Sequence, residues 1–104
     1  MKIKELKSEA EQYFNQETAR YAEKMGLKYG RIRITSAKRR FGSCNTKGTI
    51  CFSYRLMLYP KEAREYVIVH ELAHLVYMNH SKDFYALIER FMPDYKNRKK
   101  LLRS

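Results

Sequence analysis

His70-Glu71-Leu72-Ala73-His74 is the stretch on which the reading of this 104-residue chain turns. On a helix, side chains four positions apart lie one turn above each other on one face, so His70 and His74 can direct imidazole nitrogens at a single zinc ion. Glu71 follows about 100° further round the helix. That offset takes its carboxylate off the direct line to the ion but leaves it near enough to accept a proton from a water held there, as metal-assisted hydrolysis requires. The HExxH spacing therefore encodes two ligands and one catalytic base. Catalytic zinc usually takes three protein ligands, and the only other histidine, His80, lies six residues beyond His74. A sharp turn must bring it back. Asn79 tolerates the left-handed conformation that commonly ends a helix, while Ser81, with Asp83 behind it, suits the start of a second one. His80 is thus expected at the elbow between two helices, as the third ligand. Each histidine alone would read as an ordinary surface or core residue. Agreement between spacing, turn chemistry and the third histidine favours the metal site.

Upstream of the motif, Ile3, Leu6, Ala10, Tyr13, Phe14, Tyr21 and Met25 recur at three- and four-residue steps, which predicts an amphipathic helix ending at Gly26. Arg31-Ile32-Arg33-Ile34-Thr35 alternates with period two and reads as a strand with Ile32 and Ile34 inward. A second strand is expected from Arg39 to Cys44 and a third from Thr49 to Tyr54, joined by Asn45-Thr46-Lys47-Gly48 as a hairpin loop in which Gly48 supplies a positive φ. Pro60 suits the first position of the motif helix, with Glu62 and Glu65 near the positive end of its dipole. That helix is expected to run to about Met78 and to pack Val69, Leu72, Ala73 and Val76 against the sheet. A further helix, Lys82 to Met92, would bury Phe84, Leu87, Ile88 and Phe91 before Pro93 interrupts it, with a short basic helix after that. The fold class is therefore α+β: a small antiparallel sheet of about three strands packed on the HExxH helix, with an N-terminal helix and one or two C-terminal helices. No repeat or low-complexity linker divides the chain, so residues 1–104 are expected to form one metal-binding domain.

A chain of this length can bury a core unaided, so folding does not require a metal. The start Met1-Lys2-Ile3-Lys4-Glu5 lacks an apolar signal-peptide run, and nowhere do eighteen apolar residues follow one another. A cytoplasmic protein with no membrane partner is expected. Cys44 and Cys51 flank the hairpin turn and could face each other across it, but a cytosolic setting favours free thiols. A zinc site shared with the histidines is not expected from two cysteines in another segment. A nucleophilic Cys44 is the lesser alternative, because HExxH already supplies a way of activating water. The net charge is +11, and residues 1–25, with five basic and five acidic side chains, contribute none of it. Lys28, Arg31, Arg33, Lys38, Arg39 and Arg40 form one basic cluster; Lys96, Arg98, Lys99, Lys100 and Arg103 form another. Such a surface suits an anionic partner such as nucleic acid, a nucleotide or an acidic protein, or else serves only as a solvated face.

Arg40-Phe41-Gly42-Ser43-Cys44, Gly48-Thr49-Ile50, Arg55-Leu56, Tyr66 through His74, Asn79-His80-Ser81 and Phe84 together resemble the YgjP-like metallopeptidase family, which is related to the SprT-like and other HExxH zincin proteins. The likeness runs from about Tyr21 to Leu102. It implies a minimal zincin-like architecture, a zinc ion held by His70, His74 and His80, and Glu71 as catalytic acid/base. Phe41 and Tyr85 stand where that family often has tryptophan; Cys44 fits its pattern and Cys51 does not. The resemblance covers the metal-binding C-terminal half of longer relatives, so a short member or a fragment is expected.

A zinc-dependent hydrolase, specifically a metallopeptidase, is the first functional expectation. An edge strand beside the motif helix could then hold an extended peptide by strand addition. Tyr54, Tyr77, Arg40 and Arg55 are candidates for stabilising an oxyanion, and sequence does not rank them. The resemblance also implies an alternative, a metal-dependent nucleoside triphosphate pyrophosphatase, which the surplus of Lys and Arg favours. Against it stands the absence of a phosphate-cradling glycine loop and of an acidic metal cluster. The third expectation is a basic nucleic-acid-binding module with a catalytically silent metal site. The sequence defines no substrate-binding residue and specifies no oligomeric state.

Overall fold

The apolar stripe beginning at Leu6 builds the longest helix. The computed structural model describes residues 2–102, in which α1 spans Ile3–Met25 and buries Leu6, Ala10, Phe14, Thr18, Tyr21, Ala22 and Met25. Gly26 ends it at φ 68°, where its N–H bonds back to the last turn, the left-handed cap that glycine adopts without steric cost. Three strands follow: β1 (Arg31–Thr35), β2 (Gly42–Cys44) and β3 (Thr49–Ser53). The β2–β3 turn is closed by the Asn45 side chain, whose Oδ1 accepts from the N–H groups of Lys47 (2.9 Å) and Thr49 (3.0 Å). Gly48 at φ 84° completes it, and a Cβ there would lie 2.9 Å from the Gly30 nitrogen.

The sheet order is β1-β3-β2, so the expected antiparallel sheet is mixed. β2 pairs antiparallel with β3, whereas β1 pairs parallel with β3, Ile32 opposite Ile50 and Ile34 opposite Phe52. The hairpin itself acts as the crossover. Because β3 returns between β1 and β2, it runs in the same direction as β1, and alternation along a strand carries no information about which edge it joins. β2 is also shorter than the expected Arg39–Cys44, and is left on an edge. Ser43 stands opposite Cys51 and Cys44 opposite Ile50. Paired residues share a face and neighbours alternate, so the two thiols project to opposite faces instead of meeting across the hairpin. Both are free.

Tyr54, expected to end β3, instead opens a 3₁₀ segment, Tyr54–Leu58, capped by the Ser53 hydroxyl accepting from the Arg55 N–H at 3.2 Å. The Arg64 guanidinium donates to the carbonyls of Leu56, Met57 and Tyr59 at 3.0–3.2 Å. The Leu56 carbonyl also accepts from the Tyr59 N–H at 3.0 Å, and Arg64 serves the carbonyls left open at the end of the segment. Pro60 is the N-cap of α2 (Lys61–Ala73), one position earlier than the first helical turn. Helix α3 (Lys82–Phe91) begins as read, with the Ser81 hydroxyl accepting from the Phe84 N–H at 3.3 Å. Phe84 and Ile88 are buried, while Leu87 and Phe91 are only half-buried. A short basic helix, α4 (Tyr95–Lys100), follows, and Arg103 of the C-terminal basic cluster lies outside the described residues.

The expected α+β arrangement, a small sheet beside the motif helix, is thus present. α2 is the centre of it, packing against α1, the 3₁₀ segment, β2, α3 and α4. Phe14 of α1 stacks on Phe52 of β3 with ring centroids 4.3 Å apart, joining helix to sheet. Among the described residues no helix is long and apolar enough to cross a membrane.

Glu65, read as a first-turn dipole partner, is instead buried in an ionic hub. Its carboxylate accepts from Tyr21 Oη (2.6 Å) and pairs with Arg98 (3.1 Å) and Arg20 (3.3 Å), tying α1 and α4 to α2. Burial pushes this carboxyl upward, but the hydrogen bonds from Tyr21 and Arg98 and the charges of Arg98 and Lys61 outweigh it and hold it below the ordinary value. A depressed carboxyl stabilises the fold fully above its unfolded value and loses that contribution as pH falls through the folded one. Glu65→Gln is therefore expected to cost about 2 kcal/mol at neutral pH. In urea titrations its deficit against wild type should shrink as the pH drops below 4.5, the ordinary value; a constant deficit would reject the ionic account.

Candidate active site

Four-residue spacing lays Tyr66, His70 and His74 along one stripe of α2. His74 is the C-cap residue, still with right-handed helical dihedrals, so the one-turn relation to His70 holds although the helix stops well short of Met78. The early end is what returns the chain. Continuing to Met78 would have carried residues 74–78 about 6 Å further along the axis. Instead the N–H groups of Leu75, Val76 and Tyr77 bond back to Leu72 and Ala73, curling the chain toward His80. No described non-glycine residue has a positive φ, so Asn79 does not make the turn through the left-handed region. Val76, expected to pack on the sheet, is 47% exposed in this loop.

The curl brings the three histidines together, with one ligand atom from each lying within 4.8 Å of the others. Ring centroids are 5.0 Å apart for His70 and His74, 4.8 Å for His74 and His80, and 5.4 Å for His70 and His80. Phe84, fully buried, holds the set: its ring lies 4.4 Å from that of His74, nearly parallel, 5.0 Å from His70 and 5.1 Å from His80, both edge-on. Tyr85 stacks between His80 and Tyr95.

The ring nitrogens are already divided between two tasks. His74 Nδ1 lies 3.0 Å from the Tyr77 carbonyl, to which it can only donate, leaving its Nε2 lone pair free. His70 Nδ1 lies 3.1 Å from Tyr66 Oη. Burial pushes the Tyr66 phenol up to about 12, keeping it neutral. Burial, then the charges of His74, His80 and Lys99, lowers His70 to about 3, and burial also lowers His74. Neutral imidazoles with one nitrogen bonded to the protein and the other free are what a metal ion requires. The donor set thus fits a divalent cation such as zinc.

Glu71 is 5% exposed, and burial raises its carboxyl to about 7 against the opposing charge of Arg40. Gly42 on β2 makes the space for it. A Cβ at Gly42 would lie 3.1 Å from Glu71 Cγ and Oε2. Cys44, beside it, is pushed up to about 11 by burial, then by Glu71 and Cys51, so it remains a thiol and is unsuited to act as a nucleophile. Two clefts open here. One of about 320 Å³ contains the three histidines and Glu71, with Gly42, Cys44 and Met78 in its lining. The other, of about 390 Å³, shares Arg40, Gly42, His70 and Glu71 with the first.

Of the four oxyanion candidates only Arg40 lines these clefts; Tyr54 is buried in the core and the Arg55 guanidinium lies over its ring at 5.3 Å. Tyr77 meets the site through its backbone carbonyl. Sequence reasoning placed Phe84 in the core and counted Tyr66 and Gly42 within the family resemblance, but gave none of the three a part in the site. Tyr66 carries a legible signal, since it precedes His70 by the same four residues that separate His70 from His74.

The YgjP-like metallopeptidase domain model matches residues 3–104, which takes in the whole of α1 and extends the likeness well before Tyr21. The chain belongs to that family, and is accordingly a domain of the metallopeptidase type, a hydrolase whose metal the histidine triad could hold. Among solved structures it is similar to the metallopeptidase zymogen abylysin of Pyrococcus abyssi, with a TM-score of 0.75 at 23% identity, over 85% of this chain and 90% of that one. That likeness establishes the fold. No curated protein matches the sequence.

If Tyr66 fixes the His70 ring for metal binding, Tyr66→Phe should weaken metal affinity about 10- to 100-fold. Competition against a chromophoric chelator measures this, and unchanged affinity in a folded variant would reject the role.

Proposed function

We propose that the chain is a zinc-dependent metallopeptidase in which His70, His74 and His80 hold the ion and Glu71 is the catalytic acid/base. One observation carries the reading: three ligand atoms within 4.8 Å of one another, with a buried glutamate beside them at an open cleft. Zinc, when bound, would supply Lewis-acid polarisation and a lowered pKa for water, toward about 7.

The chain's own residues account for the rest. The Tyr77 carbonyl fixes the tautomer of His74, the Tyr66 hydroxyl holds the His70 ring in orientation, and Phe84 packs against all three rings. Glu71, lifted to about 7, can accept a proton near neutral pH and give it up again. In peptide hydrolysis it would take a proton from water as the water oxygen bonds to the carbonyl carbon. It would then deliver that proton to the amine nitrogen as the C–N bond breaks. Gly42 leaves room for the carboxylate to do both. β2 is an edge strand beside α2, so its free side can align an extended substrate by main-chain hydrogen bonds.

The test pairs metal analysis with turnover. Zinc-loaded wild type should cleave members of a peptide library, and Glu71→Gln should lose at least about 1,000-fold in kcat while keeping its zinc. His80→Ala should lose most of its zinc at micromolar protein with its circular dichroism unchanged. Turnover surviving Glu71→Gln would reject the proposed base, and full zinc content in His80→Ala would reject the third ligand.

A further inference from the structure

The larger cleft, about 390 Å³, differs in chemistry from the one that contains the histidine cluster. Phe41, Tyr66, Val67 and Leu102 give it an apolar lining, while Arg39, Arg40 and Lys99 bring three cations to it. Among its described lining residues Glu71 is the only acid. Lys99 is presented by a helix that is itself clamped. Its neighbour Arg98 donates to Glu65 (3.1 Å) and Asp94 (3.0 Å), and Tyr95 of the same helix is buried with its ring stacked toward Tyr66. Arg39 and Arg40 come from the other wall, immediately before β2. Cations from two segments far apart in sequence therefore converge on one apolar space beside the reacting centre.

The position of this space along β2 gives it a polarity. Gly42 lines both clefts, as do Arg40, His70 and Glu71; Phe41, just before β2, lines the larger one alone, and Ser43, Cys44 and Met78 line the other alone. β2 already pairs antiparallel with β3, and antiparallel pairing is the slightly more stable kind. A peptide added antiparallel to β2 runs from the Cys44 end toward the Gly42 end. Its residues on the carboxyl side of Glu71 then enter the cationic cleft.

Resting on the peptidase reading above, we infer that this cleft selects an acidic side chain, glutamate or aspartate, immediately after the cleaved bond. The methylenes of such a side chain meet the apolar lining and its carboxylate meets the cations. A lysine at the same place would face three like charges, so specificity has a repulsive as well as an attractive component. Because the three cations are solvent-exposed, the selection is modest, about tenfold in kcat/KM for Glu over Gln, and larger for Glu over Lys.

The experiment uses the zinc-loaded full chain and a peptide series that differs only at the residue after the scissile bond, carrying Glu, Gln, Leu or Lys, with cleavage sites mapped by mass spectrometry. Ratios of kcat/KM within one preparation are independent of the active fraction. Wild type should prefer Glu, Lys99→Gln should reduce the Glu/Gln ratio, and the Arg39→Glu, Lys99→Glu double variant should invert the Glu/Lys order. Cleavage without acidic preference, or a preference unmoved by these variants, overturns the proposal. Acidic preference on the amino side of the bond overturns the strand polarity. A binding arm, fluorescence anisotropy of the same peptides with zinc-loaded Glu71→Gln, separates this inference from the catalytic one. Glu-selective binding that the double variant abolishes, without any wild-type cleavage, upholds the cleft and rejects the peptidase reading. Neither binding nor cleavage rejects both. Glu71-dependent hydrolysis of nucleoside triphosphates in place of peptides would assign the cations to phosphate and overturn the acidic-peptide assignment.

Discussion

The structure depends on one constraint: the most enclosed helix must also carry the polar groups of the site. α2 is packed by α1, the 3₁₀ segment, β2, α3 and α4, yet Glu65, His70 and Glu71 all lie on it. Burying such groups is costly unless each is paired or neutral. The protein resolves the cost differently for each. Glu65 is given ionic and phenolic partners and is held below its ordinary pKa, whereas burial raises Glu71 to about 7 against the charge of Arg40. Two buried glutamates six residues apart are thus driven in opposite directions by their surroundings, one toward structure and the other toward proton transfer.

Aromatic side chains carry the consequences of that burial outward. Phe84 packs among the three imidazoles, and Tyr85, Tyr95 and Tyr66 continue the packing toward α4. Site geometry and the placement of α4 are therefore parts of one packed unit. The Glu65–Arg98 pair reinforces it from the far side, so a contact remote from the histidines helps to set where Lys99 stands.

The small sheet contributes an edge more than a core. Ile50 and Phe52 anchor β3 in the interior, and β3's central position leaves β2 with one unpaired side next to Glu71. Gly42 suits that position because a Cβ there would lie 3.1 Å from Glu71 Cγ and Oε2 and from the Cys51 carbonyl, so a side chain would press on the carboxylate. An open strand edge is ordinarily a liability for aggregation; beside a hydrolytic centre it is a means of holding an extended chain in register.

What the sequence by itself determined is local. Periodicity placed α1 and the start of α3, Gly26 and Ser81 marked their caps, and the four-residue step put His70 and His74 on one face with Glu71 offset from it. These follow from backbone geometry over a turn or two, which neighbouring residues control. Tertiary structure alone decided the parallel pairing of β1 with β3, because strand alternation specifies faces and not neighbours. It also decided the early end of α2, which a continuing pattern of apolar residues concealed, and with it the return of His80. The convergence of Arg39 and Arg40 with Lys99 across nearly sixty residues of chain belongs to the same class. Their charge was visible in the sequence, but their common cleft exists only because α4 and β2 both pack on the same buried helix.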